Sequence, residues 1–62
     1  MPAVRISLLP GRDKEQKDKL VSAIVDAFDE IGVPADAVTT IFEDVDASDW
    51  YTAKQSIADK RK

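Results

Sequence analysis

The sequence contains neither cysteine nor histidine among its 62 residues. Without cysteine there is no disulfide and no thiolate site, and without both residues a zinc site of the usual kind is excluded. A chain shorter than about 70–80 residues rarely gains more than about 3–5 kcal/mol from a single core, so small proteins rely on disulfides, a metal or oligomerisation. Since disulfides and a zinc site of the usual kind are excluded, oligomerisation is the remaining source of stability. We therefore expect a single domain over residues 1–62 that associates with further copies of itself.

Clustered basic residues and long apolar runs are missing as well. The net charge is −3 and the isoelectric point about 4.7, whereas phosphate binding needs a clustered basic surface. No apolar run approaches the roughly 20 residues that span a bilayer, and the start of the chain lacks the basic-then-apolar order of a signal peptide. We expect no nucleic-acid or membrane partner and a cytoplasmic location, with which the lack of cysteine is compatible.

Two segments have the character of β-strands. Residues 3–9 alternate apolar and polar side chains, and residues 37–45 are rich in β-branched and aromatic ones. A helical segment lies between them, and this order predicts a parallel strand pair with a right-handed crossover. The predicted fold class is α/β, a β-α-β protomer with a two-stranded parallel sheet. One helix covers only one sheet face, so we expect sheets of different subunits to pair and pack.

The helix is predicted from its ends and its apolar stripe. Asp13 is a candidate N-cap with Gln16 as its capping-box partner, and Gly32 suits the position after the helix, which we expect to end at Ile31. Glu15, Gln16 and Lys17 are interpreted as helix-start and surface residues. The apolar stripe, at spacings of three and four, consists of Leu20, Ile24, Ala27, Phe28 and Ile31, widened by Val21 and Val25.

The remaining residues are less regular. Residues 46–49 are predicted to form a loop and residues 50–52 a short strand. Residues 53–57 are compatible with a helical turn or with a short hairpin, and residues 60–62 form a charged end that we expect to fray.

Several residues together carry a resemblance to a known family. Proline follows Met1, and a Gly-Arg-x-x-x-Glu-Gln-Lys block occupies residues 11–17. With Leu20, Val38, Ile41, Asp44 and Trp50, these features resemble the 4-oxalocrotonate tautomerase family of small tautomerases. The resemblance implies a hexamer built as a trimer of dimers. It also implies keto–enol isomerisation of a 2-hydroxydienoate or enolpyruvate-type carboxylate, with no metal or organic cofactor.

Pro2 is the candidate catalytic residue. A small side chain at position two predicts removal of Met1, which leaves a secondary amine. A free α-amine has a pKa of about 7.7–8.0, close to the pH at which a general base works best. The resemblance implies that Pro2 is the general base, that Arg12 binds a substrate carboxylate, and that Trp50 forms an apolar wall of the pocket.

Thr39 departs from the family pattern. The best-studied family enzyme has a second arginine there. Thr39 remains a candidate substrate-binding residue that can donate one neutral hydrogen bond, but it carries no charge, and losing a charge-assisted contact costs more than a neutral bond supplies. A monocarboxylate substrate, or one held by another cation such as Lys54 or Arg61, is therefore favoured. Arg5 is a poor substitute, because strand alternation places it on the sheet face opposite Pro2.

The C-terminal segment departs too. The paired glycines that allow a hairpin onto a neighbouring subunit are replaced by Lys54 and Gln55, and a turn without glycine is harder to close. Two alternatives stay open beside the tautomerase hypothesis. One is a non-catalytic or hetero-oligomeric subunit whose partner supplies the missing arginine. The other is a different proline-dependent reaction, such as hydration of an unsaturated acid.

Overall fold

The computed structural model describes residues 2–62, so the predicted removal of Met1 concerns a residue outside the described part of the chain. Strand β1 spans Ala3–Leu8, helix α1 Lys14–Glu30 and strand β2 Thr39–Asp44. β1 and β2 pair in parallel, with Ala3 opposite Thr39 and Leu8 opposite Asp44. The predicted β-α-β fold with a parallel two-stranded sheet is confirmed.

Helix α1 begins and ends at the predicted signals. Asp13 is the N-cap, and the reciprocal capping box with Gln16 is formed. At the other end, Gly32 has a φ of +88°, and the amide of Val33 donates to the carbonyl of Phe28 at 3.0 Å. This is a Schellman motif, in which a residue in the left-handed conformation follows the helix and two amides beyond the helix donate to carbonyls of the last helical turn.

The orientation of α1 exposes much of its predicted stripe. Val21 and Val25, on the widening flank, are half-buried. Leu20 is 41% exposed and Ile31 73% exposed, and a shallow apolar cleft lies between Ile24, Ala27, Phe28 and Ile31. One flank of the helix is therefore half-buried and the other remains open.

The second strand is shorter than the prediction of residues 37–45. Residues Ala35–Ala37 form a 3₁₀ turn after Pro34, and β2 ends at Asp44. Pairing nevertheless extends past the strand, because the amide of Val45 donates to the carbonyl of Leu8 at 2.8 Å. Local turn formation after a proline, whose φ is fixed, shortens the strand at its start.

A separate C-terminal arm follows β2. It consists of a 3₁₀ turn at Ala47–Asp49, antiparallel strands β3 (Tyr51–Thr52) and β4 (Gln55–Ser56), and helix α2 (Ile57–Lys60). The hairpin closes without glycine because Ala53 adopts a φ of +55°. The expectation that missing glycines disfavour this hairpin is therefore wrong, and both alternatives for residues 53–57 are partly realised.

A single protomer lacks a hydrophobic core. Among residues 2–62 no hydrophobic side chain is buried, and Ser56, 4% exposed, is the only buried residue. The radius of gyration is 14.9 Å, against about 10.6 Å expected for a compact domain of this length. Its accessible surface is 4872 Å², against about 4000 Å² for a globular protein of this mass. This excess supports the prediction that subunits pack together.

No helix within residues 2–62 is both long and apolar enough to cross a membrane.

Candidate functional site

Two of the predicted site residues are neighbours at one end of the sheet. Pro2 directly precedes β1 and is half-buried, and its carbonyl accepts a 3.0 Å hydrogen bond from the amide of Thr39. Thr39 is the first residue of β2 and is exposed. Sheet pairing thus holds the backbone of Pro2 in place beside the hydroxyl-bearing residue that replaces the family's arginine.

Arg12 lies at the opposite end of the sheet. It follows the carboxyl end of β1, whose six residues span about 20 Å at the usual strand rise. Arg12 and Pro2 of one protomer are therefore not brought together. Arg12 instead lines a small apolar cleft with Gln16 and Lys17, whose walls are formed by Leu8, Leu20 and Phe42.

Lys17 is the residue of this cleft that sequence reasoning missed. Its ammonium lies 5.6 Å from the centre of the Phe42 ring and 4.0 Å from a carboxylate oxygen of Asp44, and its side chain is 29% exposed. The sequence signal was its spacing from Arg12. The residue before an N-cap and the fourth residue of the helix are positions whose side chains commonly touch.

Trp50 belongs to the C-terminal arm. It is half-buried, its carbonyl accepts from the amide of Ile57 at 2.7 Å, and its own amide donates to Ala47 at 3.4 Å. Lys54 and Arg61, the alternative cations, are exposed on the same arm. Within one protomer, Trp50 follows the carboxyl end of β2 and therefore does not lie at the sheet end that carries Pro2.

Two polar features lie near these residues. The Thr40 hydroxyl is buried without a hydrogen-bond partner. Asp46 accepts from both the hydroxyl and the amide of Ser48, and these bonds lower the pKa of its carboxyl group below the usual value. Within residues 2–62 no three acidic side chains are grouped as metal ligands.

The comparisons with known proteins agree with the geometry. A family model described as "Tautomerase enzyme" matches residues 2–60, so the chain belongs to the tautomerase enzyme family. No curated protein is significantly similar to it in sequence. The resemblance read from the sequence is confirmed, and family membership supports isomerase activity in general.

Solved structures of similar proteins cover nearly the whole chain. TomN, a 4-oxalocrotonate tautomerase homologue in the tomaymycin biosynthetic pathway, is 33% identical with a TM-score of 0.90, over 97% of this chain and 94% of that one. A 4-oxalocrotonate tautomerase isozyme from Methylibium petroleiphilum is 30% identical with a TM-score of 0.90, over 97% and 95%. A heterohexamer 4-oxalocrotonate tautomerase from Chloroflexus aurantiacus J-10-fl is 34% identical with a TM-score of 0.83, over 94% and 95%.

Proposed function

We propose that this protein is a cofactor-independent keto–enol tautomerase whose general base is the amine of Pro2 after Met1 has been removed. The observation that supports this most directly is the position of Pro2, which the Thr39 amide anchors at 3.0 Å. A base that must take a proton from one atom and return it to another has to be held in one place. Family membership over residues 2–60 supports the reaction class.

The amine suits this proton transfer at neutral pH. Apolar surroundings disfavour the charged ammonium form, and a nearby cation disfavours it further, so both lower the pKa of an amine. We expect the pKa of the Pro2 amine to lie below the ordinary value for an α-amine. The free base is then abundant at pH 7, and the developing enolate is stabilised by hydrogen-bond donors and cations.

The complete site is formed between subunits in this proposal. Pro2 and Arg12 lie at opposite ends of the same sheet, so the base of one subunit meets the arginine of another. The exposed Leu20 and Ile31, the bare sheet face and the lack of a buried core within residues 2–62 supply apolar surface for this association. We propose a homohexamer arranged as a trimer of dimers, to be checked by native mass spectrometry.

The substrate is an enolpyruvate-type or 2-hydroxydienoate carboxylate. Arg12 binds the carboxylate, since a guanidinium grips it through two parallel hydrogen bonds. Trp50 provides an apolar wall, and Thr39 donates one neutral hydrogen bond near Pro2.

The test begins with the N-terminus. Protein from its native host, shown by intact mass to start at Pro2, is assayed against phenylenolpyruvate and 2-hydroxymuconate. We expect Pro2→Ala to lower kcat/KM by roughly 100-fold or more, the usual contribution of a general base. A correctly assembled native protein with no activity on either substrate would contradict the proposed function, and retained Met1 would favour a non-catalytic subunit. Full activity of Pro2→Ala would contradict the mechanism alone.

A further inference from the structure

Two cations occupy a pair of positions at the start of α1 that usually hold apolar side chains. Arg12 precedes the N-cap Asp13, and Lys17 is the fourth residue of the helix. In many helices these two positions form a hydrophobic staple. Here both side chains line the same cleft between Leu8, Leu20 and Phe42, so two cationic side chains border one set of apolar walls.

The protein itself does little to compensate these charges. Within residues 2–62 the only carboxylate within 4.0 Å of the Lys17 ammonium belongs to Asp44, and it lies at that limit. The Phe42 ring, 5.6 Å away, gives a weak cation–π contact. Within residues 2–62 Arg12 makes no ion pair, and the contact between Lys17 and Asp44 is at the outer limit of one. An anionic ligand is the partner that this arrangement suits.

We propose that Lys17 is a second cation of the carboxylate site, and that it and Arg12 together bind the single carboxylate of a monocarboxylate substrate. The apolar remainder of that substrate lies against the walls of the cleft. Thr39 carries no charge and offers a second carboxylate at most one neutral hydrogen bond. This inference rests on the proposed function for its substrate, but the binding it describes does not depend on catalysis.

The Asp44 contact makes the inference testable in two directions. A bound carboxylate competes with Asp44 for the Lys17 ammonium. Removing the lysine charge must weaken binding, and removing the competing carboxylate must strengthen it. A general effect of surface charge would weaken binding equally when the charge of Lys14 is removed. Lys14 does not line the cleft, is 87% exposed and pairs with Asp18, so it serves as the control.

The experiment is an NMR titration of the full-length assembled protein with 3-phenylpropionate, an unreactive monocarboxylate, and with adipate, a dicarboxylate. We expect 3-phenylpropionate to bind more tightly than adipate. Lys17→Gln should raise its Kd roughly tenfold, the effect of losing one hydrogen bond to a charged group. Asp44→Asn should lower the Kd, while Lys14→Gln should leave it unchanged. Lys17→Arg keeps the charge, so its Kd for 3-phenylpropionate should lie within about threefold of that of the original protein.

Several results would overturn the inference: no binding of 3-phenylpropionate, an unchanged Kd in Lys17→Gln, an equal loss in Lys14→Gln, or tighter binding of adipate. The Pro2→Ala protein should bind 3-phenylpropionate normally, since the amine is not needed to hold the carboxylate. Failure of the proposed function would therefore appear as inactivity with binding intact. Failure of this inference would appear as binding that is indifferent to Lys17.

Discussion

The Thr40 hydroxyl gives the sharpest stability prediction. It is buried with no hydrogen-bond partner, on a strand position that alternates with exposed neighbours and pairs with Val4 of β1. A buried polar group left unsatisfied costs about 1–3 kcal/mol. Thr40→Val preserves the shape of the side chain and replaces the hydroxyl by a methyl group. We expect the free energy of unfolding to rise by about 1–2 kcal/mol per protomer, the lower part of that cost.

The assay is urea denaturation at a fixed protomer concentration, because the stability of an associating protein depends on concentration. The midpoint should rise while the m-value stays unchanged, since the surface exposed on unfolding is the same. Two variants isolate the cause. Thr40→Ser keeps the hydroxyl but loses a methyl group, and should destabilise by about 1 kcal/mol. Thr39→Val, at the exposed neighbouring position, should change stability by less than about 0.5 kcal/mol.

A loss of stability in Thr40→Val would refute this reasoning. It would mean that the assembled protein satisfies the hydroxyl, through a water or a neighbouring subunit. An equal gain in Thr39→Val would also refute it, because the effect would then reflect the general β-propensity of valine and not the buried hydroxyl.

Three further predictions concern the ends and turns of the chain. Asp13→Ala removes the capping box and should lower stability by about 1 kcal/mol in thermal unfolding followed by circular dichroism; an unchanged midpoint would contradict it. Ala53→Gly relieves a positive φ that costs other residues about 1–2 kcal/mol, and should slow amide exchange across the hairpin; faster exchange would show that the entropy of glycine prevails. Hydrogen bonds from Ser48 lower the pKa of Asp46, so their stabilisation is present above the ordinary carboxyl pKa and is lost as the pH falls through the lowered one. The NMR chemical shift of the Ser48 amide should therefore change at acid pH as Asp46 is protonated, and Asp46→Asn should abolish that change. A pH dependence of this shift that is the same in Asp46→Asn would contradict the assignment of the lowered pKa to Asp46.

Local signals in the sequence determined the helix and the order of the fold. Asp13 with Gln16, and Gly32 at the other end, act through hydrogen bonds within a few residues, so they can be read without knowing the rest of the structure. Strand alternation likewise placed Arg5 on the sheet face opposite Pro2, and Arg5 is exposed. The motif around Pro2 was sufficient for the family, which the comparison over residues 2–60 confirms. The roles of the site residues stay predictions.

Only the tertiary structure decided how these parts lie relative to one another. Nothing local shows that Thr39 lies beside Pro2, because that depends on the parallel pairing of strands 30 or more residues apart. The same pairing places Phe42 and Asp44 beside Lys17. Lys17, which the sequence predicts to be a helix-surface residue, is therefore part of a cleft. Ala53 takes a conformation that its own side chain disfavours, since the pairing of β3 with β4 outweighs the local strain. Local preference thus determined the elements, while contacts between residues distant in sequence decided the cleft, the hairpin and the placement of the candidate site residues.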